Sequence, residues 1–167
     1  MHGDYNLFYP FVFAQMKRSV DDALQSFPNL REVQACLRVI PSKEKEFKRL
    51  FDEYSQKISY KQLYLDQNAF LVYYTNGFDG PGRKSIETED PISKLESAQY
   101  GARNECWIGL DEARAEVGYL LDEGGKGDTG YLKKELEQAS KAFSDYLNLA
   151  PPKDLEKALA LIGETRS

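Results

Sequence analysis

Histidine is almost missing from this chain: the single copy, His2, stands beside the first residue. Ser-His-Asp and Cys-His devices need an imidazole held rigidly beside a nucleophile, and a chain end is a poor place for one. Di-iron bundles need two inward Glu-x-x-His pairs, and structural zinc needs four cysteine or histidine ligands. One histidine and two cysteines supply neither, and a histidine-ligated haem falls for the same reason. The sequence therefore assigns no catalytic, cofactor-binding or metal-binding residue. Cys36 and Cys106 form no C-x-x-C pair and sit among apolar or helix-forming neighbours. They read as two buried thiols acting as small hydrophobes rather than as a disulfide, which fits a reducing compartment.

Long apolar runs are also absent. Nothing approaches the roughly 18 to 20 continuous apolar residues that span a bilayer. The start Met1-His2-Gly3-Asp4-Tyr5 lacks the charged and apolar regions of a signal peptide. The expectation is a soluble intracellular protein, or one whose targeting segment has been removed. Excess positive charge is missing too: the net charge is −5 and the pI about 5.1. General nucleic-acid binding needs a basic surface that displaces counterions from phosphate, and this composition argues against it. What remains, 167 residues with 41% hydrophobic and 29% charged, suits one hydrophobic core folding in water.

Apolar periodicity points to helices. Phe13, Met16, Val20, Ala23, Leu24 and Phe27 recur at steps of three and four, which predicts a helix from Phe11 to Phe27. After Pro28, Asn29 is a candidate cap for a short helix over Leu30 to Ile40. Pro41-Ser42 interrupts again, and Ser42 is then expected to cap a helix carrying Phe47, Leu50, Phe51, Tyr54 and Ile58. The run Ala69 to Tyr74 fits strand or buried helix equally by period, and its helical neighbours favour helix. Asp90-Pro91 is a strong start signal for the longest helix, on which Leu95, Ala98, Ala102, Cys106, Gly109, Leu110, Ala113 and Val117 share a face. Its small residues, Ala98, Gly101, Ala102, Gly109, Ala113 and Gly118, suggest close backbone approach and a central position. Gly124-Gly125-Lys126-Gly127 ends it, Asp128 or Thr129 caps the next helix, and Pro151-Pro152 precedes a terminal one closed by Gly163. The expected fold is a single all-α domain over 1–167, a bundle of about four main helices with short additional ones. A Gly/Pro-rich loop at about 76–90 separates its halves.

That loop invites one comparison. Gly77-Phe78-Asp79-Gly80-Pro81-Gly82-Arg83-Lys84-Ser85 approximates a phosphate-binding P-loop, but Arg83 separates the last glycine from the lysine and Glu87 and Glu89 follow. An exposed connection is the better reading. Charged stretches such as Lys133 to Lys141 mix signs at helical spacing, as solvated faces do. Glu105, Asp111, Glu112 and Glu116 are the carboxylates available for acid–base work, although spacing alone does not bring them into a cleft.

Aromatic residues are abundant, with 11 tyrosines and 9 phenylalanines. Most are expected in the core, and the remainder on a partner surface, where a large apolar body with a polar tip is favoured. Tyr100 and Trp107, with Asn104 and Asp111 nearby, lie along one side of the long helix and line either a partner groove or a second packed face. The candidate partner-binding residues are therefore Phe78, Arg83, Lys84, Tyr73, Tyr74, Tyr100 and Trp107. Through Arg83 and Lys84 the expected partner is another protein with an acidic surface. The leading function is a non-enzymatic binding or assembly factor. A bundle holding a small molecule or pigment among Tyr, Phe and Trp107, and an enzyme using carboxylates and tyrosines, are the alternatives.

The second half, with its Asp90-Pro91 start, long small-residue helix and Pro151-Pro152 break, loosely resembles the helical accessory proteins of photosynthetic membranes. The resemblance implies a chloroplast location after removal of a transit peptide. It carries over no functional residue.

Overall fold

A computed structural model describes the backbone of residues 2–57 and 91–166, and side chains over 9–55 and 94–163. The described residues form six helices, α1 (His2–Gln25), α2 (Leu30–Leu37), α3 (Glu44–Lys57), α4 (Pro91–Asp122), α5 (Gly130–Asn148) and α6 (Pro152–Arg166). The fold is an all-α bundle, with no strand among the described residues. None of its helices is long and apolar enough to cross a membrane, again among the described residues.

Local chemistry accounts for several helix ends. Asn29 accepts a hydrogen bond from the Glu32 amide through its side chain, satisfying an orphan donor of α2. Pro91 opens α4, where a missing N–H costs nothing. Gly124 and Gly125 close it at φ +90° and +75°, with the Gly125 amide donating to the Leu120 carbonyl at 2.7 Å. At α5 both cap candidates take part: Thr129 occupies the cap position without a side-chain bond, while Asp128 accepts from the Gly130 amide at 2.9 Å. Pro152 begins α6.

Several ends depart from the sequence reading. Helix α1 begins at His2 rather than Phe11 and carries Pro10 within it. Helix α2 stops at Leu37, three residues before Ile40; Pro41 has no N–H to donate to the Leu37 carbonyl as a continued helix would require. The Arg114 guanidinium, half-buried on α4, donates to the carbonyls of Leu37, Ile40 and Pro41 and so fastens the α2–α3 link. Helix α3 starts at Glu44, its first bond running from the Phe47 amide to the Lys43 carbonyl, so Ser42 is not its cap. Gly163 does not close α6, which continues to Arg166. The thiols also differ, since Cys106 is buried but Cys36 is only half-buried.

The core lies where α1 meets α3 and α5. Phe13 is fully buried, with ring centroids of Phe51, Tyr146 and Tyr54 at 4.5, 5.1 and 5.7 Å. The polar tips find partners at its edge: the Tyr146 hydroxyl donates to the Phe51 carbonyl at 3.3 Å, and that of Tyr54 to Asp154 at 3.2 Å. Helix α1 packs on α2, α3, α5 and α6, whereas α4 packs on α2, α3 and α5. Among the described helices, α1 and α4 are the two most extensively packed. Among the described residues, one side of α4 is not packed against another helix and carries exposed side chains.

Candidate functional site

Helix α4 turns Leu95, Ala102, Cys106, Leu110, Ala113, Val117 and Leu120 into the core. Its tightest contact is with α5 at Gly109, where a β-carbon would stand 3.0 Å from the Ala139 β-carbon and 3.1 Å from the Glu135 carbonyl oxygen. Residues at steps of three and four follow one side of a helix, and the side away from the buried residues reads Tyr100, Asn104, Ile108, Asp111, Ala115, Tyr119, winding about 100° around the axis from first to last. Tyr100, Ile108 and Tyr119 are 47%, 47% and 59% exposed, and Tyr131 on the adjoining α5 is 46% exposed. Nineteen residues separate Tyr100 from Tyr119, about 28 Å of helix at 1.5 Å per residue. Beside the two tyrosines stand Gly101 and Gly118, with open space where a side chain would project. The result is a ridge of large apolar groups flanked by low ground.

Charge is distributed unevenly along this ridge. At its N-terminal end Arg103 stacks over the Tyr100 ring at 4.8 Å, pairs with Asp52 and donates to the Asn104 side-chain oxygen. From Glu105 to Glu123, just past the end of α4, the chain carries Glu105, Asp111, Glu112, Glu116, Asp122 and Glu123, all exposed except the half-buried Glu116. The sole base in that stretch is Arg114, whose guanidinium is committed to the α2–α3 link. Burial lowers the Arg114 pKa, and Asp111 opposes that shift. Tyr131 donates to Glu112 at 2.9 Å, and Gln138 to Glu105 at 2.8 Å. The Tyr131 proton is held more tightly than usual, first by its bond to Glu112 and further by the negative charges of Glu112, Glu135 and Glu116. The carboxylates considered for acid–base work thus line an open helix face.

Of the residues singled out in the sequence, Tyr100 lies on this ridge. Trp107 is half-buried at its border, its ring 5.4 Å from that of Phe47 on α3. Asn104 and Asp111 lie between the exposed apolar residues. Tyr73, Tyr74, Phe78, Arg83 and Lys84, and the whole loop at 76–90, fall outside the described residues. Sequence reasoning missed Ile108, Tyr119 and Tyr131. The first two belong to the same three-and-four series as Tyr100, and that register was the available signal.

Two clefts flank the α2–α3 link. One, of about 300 Å³, is bordered by Leu37, Arg38, Ile40, Arg114 and Val117. The other, of about 440 Å³, is bordered by Val12, Met16, Val39, Pro41 and Leu50. Neither is lined by an aromatic residue. Among the described residues no group of three or more His, Cys, Asp or Glu side chains is placed to hold a metal ion. Burial pushes the Cys106 thiol pKa well above the ordinary thiol range, with Asp145 and Glu105 adding to the effect, so the sulfur stays protonated and unreactive. Burial likewise raises the pKa of the Tyr54 hydroxyl, with the Asp154 charge adding to the shift. Compared with known proteins, the chain matches no family model, no curated protein and no solved structure.

Proposed function

We propose that this chain is a non-enzymatic protein-binding scaffold that docks another protein on the outward face of α4. The observation supporting this most directly is the line of Tyr100, Ile108 and Tyr119 held in water along the longest helix. Scattered exposed apolar residues are ordinary, but large ones aligned along one helix face mark an interaction surface. Tyrosine suits such a surface, since it offers rigid apolar area and a hydroxyl at modest entropic cost. The helix is anchored behind the ridge by Gly109 against Ala139 and by Arg114 on the α2–α3 link, so the face is presented without rearrangement.

The test is a combined Tyr100→Ala, Ile108→Ala and Tyr119→Ala variant, compared with the parent by partner capture from source-cell extract and by thermal unfolding. The three side chains are about half exposed, so the melting temperature should fall much less than for a buried residue. Capture of a discrete partner should drop at least about tenfold, as expected when interface anchors are truncated. Equal capture by both proteins would remove α4 as the docking surface.

A further inference from the structure

We infer that the occupant of the α4 ridge is a basic amphipathic helix of a partner protein. This rests on the docking role proposed above and adds the partner's chemistry. The chain's only expected partner charge so far came from Arg83 and Lys84, which called for an acidic surface. The described ridge has the opposite sign.

Two features define the occupant. Tyr100, Ile108 and Tyr119 span about 28 Å of helix axis and wind about 100° around it on the side away from the core, with open space beside Gly101 and Gly118. A second helix lying obliquely across this face can meet Tyr100 towards one edge and Ile108 and Tyr119 towards the other with its own apolar stripe, as in helix-face recognition generally. The rim supplies the second feature. Glu105, Asp111, Glu112, Glu116, Asp122 and Glu123 carry six carboxylates, and the one intervening base points into the α2–α3 link. Tyr131 on the adjoining helix donates to one of these carboxylates, Glu112, at 2.9 Å. Lysine or arginine on the flanks of the incoming helix would neutralise this rim, whereas an acidic helix would meet repulsion along its length. A second copy of this chain would bring the same carboxylates with it and is disfavoured on that ground.

The experiment titrates the full chain with three synthetic helical peptides of about 20 residues, roughly 30 Å long when helical. All share one leucine–alanine stripe; their polar faces are lysine–arginine, glutamine or glutamate. Binding is followed by calorimetry and by Trp107 fluorescence. The basic peptide should bind at least about tenfold more tightly than the glutamate peptide, and its affinity should fall between about 0.1 and about 0.5 M salt. A variant carrying Asp111→Lys, Glu112→Lys and Glu116→Lys should reverse the order of the two charged peptides. Glu137→Lys with Glu156→Lys, off the ridge, should not reverse it. Circular dichroism checks that every variant is folded.

Tyr119→Ala should weaken the basic peptide, which separates ridge docking from general attraction to an acidic protein. If the glutamine or glutamate peptide binds as tightly as the basic one and still depends on Tyr119, the basic partner is overturned while the docking face stands. If no peptide binds, the basic helix is overturned, and the docking face is judged by the alanine variant above. A particle of twice 19.1 kDa in sedimentation, lost in the Tyr119→Ala variant, would make a second copy the occupant and overturn the assignment.

Discussion

Phe13→Ala should cost about 3 to 5 kcal/mol of unfolding free energy, the range for removing a buried phenylalanine when its surroundings collapse only partly. Phe13 has no exposed surface and touches rings contributed by α3 and α5 as well as its own helix. Its removal leaves Phe51, Tyr54 and Tyr146 facing a void too apolar for water. Those rings cannot simply close in, because the Tyr54 and Tyr146 hydroxyls are tethered to Asp154 and the Phe51 carbonyl. Urea unfolding followed by circular dichroism measures the change. A loss below about 1.5 kcal/mol would mean that the site repacks freely and that this cluster is not the centre of the core.

The second large effect is expected at Gly109. A β-carbon there would stand 3.0 to 3.1 Å from the Ala139 β-carbon and amide and the Glu135 carbonyl, two of them backbone atoms that cannot swing away. Gly109→Leu must therefore push α5 off α4, at about 3 kcal/mol, the upper end of ordinary overpacking. Gly118→Leu on the same helix is the control, because its side chain would enter open space. Replacing a mid-helix glycine there should be neutral or gain up to about 1 kcal/mol through helix propensity. Lys133→Ala removes only an exposed cation 5.0 Å above the Phe27 ring, worth less than about 1 kcal/mol. Equal unfolding midpoints for Gly109→Leu and Gly118→Leu would place the α4–α5 contact elsewhere.

These glycines also mark the limit of what the sequence reveals. Signals that act within one turn were legible: Asn29 before α2, Pro91 at the head of α4, the glycine pair after it and Pro152 at the head of α6. Each meets a local need of the backbone, so composition and position suffice. Which small residue of α4 faces a neighbour was not legible, because Gly101, Gly109 and Gly118 look alike until α5 is in place. The Arg114 clamp was hidden for a related reason: it joins residues more than seventy positions apart, which no local pattern announces. Gly163 illustrates the converse, since a glycine signal near a chain end was overridden by a helix that runs through it.

The outward face was half legible. Tyr100 was marked because it lies seven residues from Trp107, yet the structure divides the pair, leaving Tyr100 on the ridge and Trp107 partly under it against Phe47. Apolar residues occur on both sides of α4, so its pattern does not by itself announce which side is buried. Ile108 and Tyr119 acquire meaning only once Cys106, Leu110, Ala113 and Val117 are seen to face inward. The site's polarity then changes as well: its rim is acidic, and the complementary partner basic.

Site-specific photocrosslinking tests the docking face most directly. A benzoylphenylalanine placed at Ile108 lies midway along the ridge, and the same probe at Glu137 on α5 or Glu156 on α6 serves as an off-face control. The circular dichroism of each labelled chain should match that of the parent, since all three positions are solvent-facing. In source-cell extract, irradiation should join the Ile108 probe to one discrete partner, with the crosslinked peptide mapping to a lysine- or arginine-rich amphipathic segment, while the control probes give no such adduct. The same adducts from all three positions, or none from Ile108 while a control captures the partner, would contradict the assignment of α4 as the docking face.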